Sequence, residues 1–128
     1  MARWLFKEEP GAYSFADLER DGQTNWEGIS NPLALKNLRQ VKPGDRILLY
    51  HTGKEKAIVG EMKAIAAKDG VVTVAPVRRL NRPVPLAELK AQTELASWEL
   101  IRISRLSVMP VSDDQWRLIE RLSRTEAS

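Results

Sequence analysis

The residues of this chain that could make or break bonds are few. There is one histidine, His51, and no cysteine, and the seven glycines are dispersed without forming a GxGxxG or P-loop pattern. With no second histidine or cysteine, His51 cannot complete a zinc set, and thiol nucleophiles and disulfides are excluded together. Glu8 and Glu9 are adjacent, and neighbouring side chains on an extended chain point to opposite faces, so they form no carboxylate dyad. The sequence therefore predicts no catalysis, no metal and no cofactor. What remains is chemistry of recognition: a tryptophan among polar residues in TNWEGISNP (24–32) and a basic stretch. These are the ingredients for stacking on a base while arginines hold its phosphates.

In TNWEGISNP, Gly28 lets the backbone pass close to a flat ligand, and Asn31 offers both donor and acceptor. Trp26 has no apolar neighbours in sequence, so it is either a plug for the core or a wall of a site. The basic stretch runs from Arg78 to Arg105. Its six basic residues (Arg78, Arg79, Arg82, Lys90, Arg102, Arg105) face three acids (Glu88, Glu94, Glu99), a surplus equal to the whole net charge of +3. Such a segment is a solvated face or a phosphate-facing patch.

The elements that must position these residues can be read in turn. RWLF (3–6) is a short strand. YSFADLERDG starts a helix capped by Ser14, with Asp17 at capping-box spacing, and Asp21-Gly22 ends it. NPLALKNLRQ is a second helix, capped by Asn31 with Pro32 in its first turn, which leaves Trp26 in a loop between two helices. KPGD (42–45) is a turn before RILLYH, a central strand with apolar residues on both faces. AIVGEMKAIAA and VVTVAPVRRL are strands joined at Asp69-Gly70, with Pro76 marking an edge or a bulge. PLAELKA is a short helix. LIRISRLSVMPV (100–111) reads as a strand that changes phase near Ser104 and Arg105, where a bulge or bend would reconcile the two halves. SDDQWRLIERL is a final helix with a Ser112/Gln115 capping box and a core stripe of Trp116, Ile119 and Leu122. About five strands and four peripheral helices predict a small α+β barrel.

At 128 residues, with 43% hydrophobic and 29% charged residues, the chain has the size and balance of one globular domain. No apolar run approaches the ~18 residues of a membrane span, and MARWLFKEEP is unlike a signal peptide. The expectation is a cytoplasmic protein with no membrane association.

Five segments, WLFKEEP (4–10), YSFADLERDG (13–22), WEGISN (26–31), GDRILLYHT (44–52) and SRLSVMPV (104–111), resemble the EVE domain in order and spacing. The resemblance spans a single domain over 1–124, leaving 125–128 as a short C-terminal tail. The EVE domain belongs to the PUA-like superfamily and is similar to the YTH readers of methylated adenine in RNA. It implies a PUA-like β-barrel of five or six strands with flanking helices. It also implies a non-enzymatic domain that binds DNA or RNA by reading a modified base flipped into an aromatic-walled pocket. By the family pattern, Lys7 and Trp26 line the base pocket, Asn31 and His51 lie near its rim, and Arg102 and Arg105 contact phosphates. Two departures stand out: Glu8 replaces the serine of the usual KSEP, and Ser30 the arginine of WDGVRN. Together they weaken phosphate attraction or change the preferred base.

Each residue keeps a plainer alternative. Trp26 would plug the barrel end, Asn31 would only cap a helix, His51 would be a hydrogen-bonded core residue, and the two arginines would pair with Glu99 and its like. The rival functions are a protein-interaction module using the same pocket or barrel end, and a hydrolase or nuclease dependent on a metal.

Overall fold

A computed structural model describes residues 1–124, so the expected tail at 125–128 lies outside the described residues. The elements in chain order are β1 (Arg3–Glu8), α1 (Phe15–Asp21), β2 (Thr24–Trp26), α2 (Pro32–Leu38), β3 (Arg46–His51), β4 (Ala57–Lys68) and β5 (Val71–Pro85). They are followed by α3 (Leu86–Lys90), a single 3-10 turn (Thr93–Leu95), α4 (Glu99–Arg102), β6 (Val108–Pro110) and α5 (Asp113–Arg124). Among the described residues no helix is long and apolar enough to cross a membrane.

The strands form one sheet in the order β2-β5-β4-β3-β1-β6, curled into a half-barrel. β1 and β3 run parallel, with Lys7 opposite Tyr50 and Glu8 opposite His51, and the other neighbours are antiparallel. The parallel pair sets the C-terminal ends of β1 and β3 side by side, which is where the site is built. The curl has a local cause. The β4–β5 register slips between Ile58 and Gly60, between Glu61 and Met62, and between Ala64 and Ala66, and each slip adds twist. At the second slip Met62 faces Pro76 and Glu61 faces Arg78, so Val77 is the surplus residue. Pro76, which has no N–H to give the ladder, is therefore placed at a bulge and not on an edge strand.

Local chemistry starts and stops the helices as the sequence predicts. Ser14 Oγ accepts from Asp17 N, the Asp17 carboxylate accepts from Ser14 N, and Gly22 closes α1 in the left-handed conformation at φ 81°. Asn31 Oδ1 accepts from Ala34 N at 3.0 Å to start α2. Asp69 and Gly70, both at positive φ, make the β4–β5 hairpin. The Ser112/Gln115 box is present in both directions. α1 seats Phe15 directly on β4 at Gly60, where a Cβ would lie 2.5 Å from the ring, so only glycine admits this contact. Buried Asp45 accepts from Trp4 Nε1, Lys42 N and Ala2 N, which anchors the KPGD turn to the start of β1.

Two expectations need correction. Trp26 is not in a loop: it ends β2, opposite Val72 on β5, because the edge of a long twisted strand offers the three-residue segment a ladder that its own sequence does not announce. The stretch 100–103 is not a strand either. Trp98 is almost fully buried with Nε1 donating to Pro110 O, and Arg102 Nε donates to Ser97 O, so the backbone after Trp98 winds into α4. The apolar alternation there covers too few residues to outweigh that anchor. The chain does turn at Ser104 and Arg105, but between a helix and β6.

Candidate functional site

Lys7, near the end of β1, separates two concavities. On one side lies a cavity of about 290 Å³ bounded by Tyr50, Lys56, Leu86, Lys90, Leu100 and Ser104, among others. On the other is a cavity of about 380 Å³ bounded by Glu8, Tyr13, Asn25, Trp26, Glu27 and Ser107, among others. Lys7 Nζ donates to Ser104 O at 2.9 Å and stands 5.5 Å from the centre of the Tyr50 ring. The backbone N–H of Lys7 donates to Ser107 O at 2.9 Å. One residue thus fastens both ends of the 104–107 turn. Its partial burial pulls the ammonium below the ordinary lysine range.

Trp26 is only 6% exposed, and its ring meets Phe6 with centroids 5.4 Å apart and planes at 41°. It is a core residue and a cavity wall at once. Three of the four tryptophans satisfy their indole N–H inside the protein: Trp4 on Asp45, Trp98 on Pro110 O and Trp116 on Glu120. Trp26 Nε1 has no partner among the described residues, yet no sealed side-chain polar atom there is left unsatisfied. The indole N–H is therefore an unused donor that is not sealed from solvent, on a residue that walls the cavity.

Lys7 and Trp26 are brought together by the fold, while Asn31 and His51 line neither cavity. Asn31 is exposed and its side-chain oxygen is occupied by the α2 cap. His51 is buried, with Nε2 accepting from Phe15 N at 3.1 Å and Nδ1 2.7 Å from Glu55 Oε1. An Nε2 that accepts leaves the proton on Nδ1 to be donated to Glu55, so both ring nitrogens are in use. Glu8, the first departure from the family pattern, lines the Trp26 cavity, and Ser30, the second, is exposed and lines neither. Gly28 has φ 75° and open space where a Cβ would stand, so a left-handed turn requires it and not a close approach.

The basic stretch divides. Arg78 binds Glu61 and Glu120, Arg79 binds Glu19, and Arg82 binds Glu88. Those three are internal counter-ions. Arg102 and Arg105 are exposed and make no ion pair with Glu99 or any other described residue; Arg102 donates only to a carbonyl. Arg105 sits in the turn between Ser104, which lines one cavity, and Ser107, which lines the other. Sequence reasoning missed Tyr13, Asn25, Glu27 and Ser107 as lining residues. Asn25 and Glu27 could have been found as the flanks of Trp26, but nothing local marks Ser107.

The chain matches the model of the EVE domain over residues 2–122. It is 27% identical to human thymocyte nuclear protein 1, with 99% of this chain and 76% of that protein covered. A Rhodopseudomonas palustris protein solved by NMR superposes with a TM-score of 0.90 at 32% identity, covering 96% of this chain and 93% of that one. The crystal structure of the human THYN1 protein in complex with 5-methylcytosine-containing DNA superposes with a TM-score of 0.90 at 26% identity, covering 99% and 100%. With its α+β half-barrel and a match over nearly its whole length, this chain belongs to the EVE domain family.

Proposed function

We propose that this chain is a non-enzymatic nucleic-acid-binding domain that takes a modified base out of a strand into the Trp26 cavity, with 5-methylcytosine as the first candidate. The observation that carries this reading is the unused indole N–H of Trp26, the one tryptophan donor left unpaired at the wall of a cavity. A flat aromatic wall supplies stacking and the N–H supplies a directional bond to a base acceptor. Glu8 and Glu27 add carboxylates able to accept from an exocyclic amine, the pairing that suits cytosine. The DNA bound by the human relative carries a cytosine derivative, which supports the same choice. Arg102 and Arg105, free of internal counter-ions, are assigned to the phosphates. His51, with both nitrogens engaged, holds α1 against the sheet and does no proton chemistry.

The test is titration at fixed salt with short single strands, DNA and RNA, that differ only at one position: 5-methylcytosine, cytosine or an abasic site. Preference for the modified base, and a loss of tenfold or more at the abasic position (roughly the worth of one stacked base), is the expected result. Equal affinity for all three would overturn base reading. The protein-interaction alternative would instead give salt-insensitive capture of a partner with no oligonucleotide binding.

A further inference from the structure

The second cavity, on the other side of Lys7, has no part in the reading just proposed, and its chemistry is distinct. Tyr50 is 4% exposed, and its hydroxyl makes no hydrogen bond among the described residues, although none of their sealed side-chain polar atoms lacks a partner. The hydroxyl is therefore not sealed from solvent, and Tyr50 is one of the residues that line the cavity. Its burial pushes it above the ordinary tyrosine range, so it stays protonated and can only meet an anion as a donor. Lys7, Lys56 and Lys90 line the same space, and the Leu100 and Ile101 side chains give it an apolar wall. A carboxylate, Glu9, stands at its rim, 3.4 Å from Thr52 Oγ1. Phenol and ammonium donors over an aliphatic wall match a phosphate joined to a sugar.

We propose that this cavity is a second nucleotide subsite, which holds the phosphate adjoining the read base on Tyr50, Lys56 and Lys90 with its sugar against Leu100 and Ile101. The inference rests on the base-reading function above, because the two cavities share Lys7 as a common wall. A free anionic metabolite has the same headgroup chemistry, but it gives no reason for the shared wall.

The experiment uses the isotopically labelled chain and a five-nucleotide single-stranded DNA with a central 5-methylcytosine, followed by NMR. The Trp26 indole N–H reports the base cavity, and the Thr52 and Gly53 amides report the second. Both sets should shift together along one titration. The Lys56→Ala/Lys90→Ala double variant should bind about fourfold more weakly near 0.15 M salt and lose about 0.7 from the log–log salt slope, the worth of one single-strand phosphate. Tyr50→Phe, which keeps the ring beneath Lys7, should also weaken binding without changing the melting temperature. A Trp26 shift with silent Thr52 and Gly53 amides and an unchanged slope overturns the second subsite and leaves base reading intact. Shifts at Thr52 and Gly53 with Trp26 silent overturn base reading, and the cavity is then a free anion site and not a neighbour's subsite. No shift at either removes both.

Discussion

Phe6 on β1 and Trp26 on β2 meet across the inside of the half-barrel with ring centroids 5.4 Å apart, although their strands lie at different places in the sheet and never pair. This contact gives Trp26 a structural duty beside its proposed one. Trp26→Ala should therefore cost ~3 to 5 kcal/mol of stability, and its binding loss cannot be read alone. Trp26→Phe keeps a ring against Phe6 and removes the N–H. It should lower affinity for the modified oligonucleotide by about two- to tenfold, the net worth of one hydrogen bond, with a far smaller change in melting temperature. Thermal melts paired with titrations separate the two effects, and undiminished affinity in the Phe variant would make Trp26 structural only.

The arginines provide a contrast within one stretch of sequence. Replacing both Arg102 and Arg105 by Ala should flatten the salt slope of single-strand binding by about 1.4, two phosphates' worth, with a stability loss of only ~1 kcal/mol from the Arg102 bond to Ser97 O. Arg78→Ala should do the reverse. It strips one partner from buried Glu61, leaving Arg46 on the other oxygen, and should destabilise by ~1 to 3 kcal/mol with the slope intact. An unchanged slope in the Arg102/Arg105 variant would remove both from the interface.

His51 and Asn31 should behave as supports. His51→Ala removes the acceptor for the buried Phe15 N–H, a loss of ~1 to 3 kcal/mol. Asn31→Ala removes the α2 cap, a loss of ~1 kcal/mol. Affinity per folded molecule should stay at the parent value in both. A drop in affinity in either protein, at a temperature where it is fully folded, would return that residue to the rim of the site.

Lys7 sets a pH dependence. Burial holds its ammonium below the usual lysine range, so it loses its proton at a lower pH than a fully solvated lysine does. A phosphate held in the second cavity, which Lys7 also lines, favours the charged form, so binding takes up a proton and affinity falls as pH climbs through the lowered value. In Lys7→Arg, whose guanidinium keeps its charge, that early decline should vanish. Titrations of both proteins across the alkaline range check it, and identical profiles would show that Lys7 does not meet the anion.

Features that depend on neighbours a few residues away were legible in the sequence. The caps at Ser14 and Asn31, the stop at Gly22, the hairpin at Asp69 and Gly70 and the break at Pro76 all express backbone chemistry within one turn. The α+β class followed from the run of strand and helix signals along the chain, and the family from five segments in order. Trp26 was legible as a core plug or a cavity wall but not as a strand residue, because its ladder partner Val72 and its ring partner Phe6 come from distant parts of the chain. Tyr50 was hidden for a different reason. In RILLYH it reads as one more core residue, and only the lack of a partner for its hydroxyl separates it from Leu48 and Leu49 beside it. The helix at 99–102 misled because the anchor Trp98 makes its decisive bond to Pro110, twelve residues downstream.

The bond from Lys7 to Ser104 joins residues 97 apart in sequence, and the strand that follows, β6, is three residues long and pairs within the sheet only with β1. The β3–β4–β5 meander has local connections and can form early, whereas pairing β1 to β3 and β6 requires closing long loops, a step that comes late in folding. Both cavities share walls with this late seam. An opening that lifts only the 104–110 segment would erase the site while the meander stays intact, and a bound strand, by holding Lys7 and the turn together, would oppose that opening by mass action. Hydrogen exchange at β6 should therefore slow with oligonucleotide concentration before the meander amides respond, making the ligand the clasp of the fold's last closure.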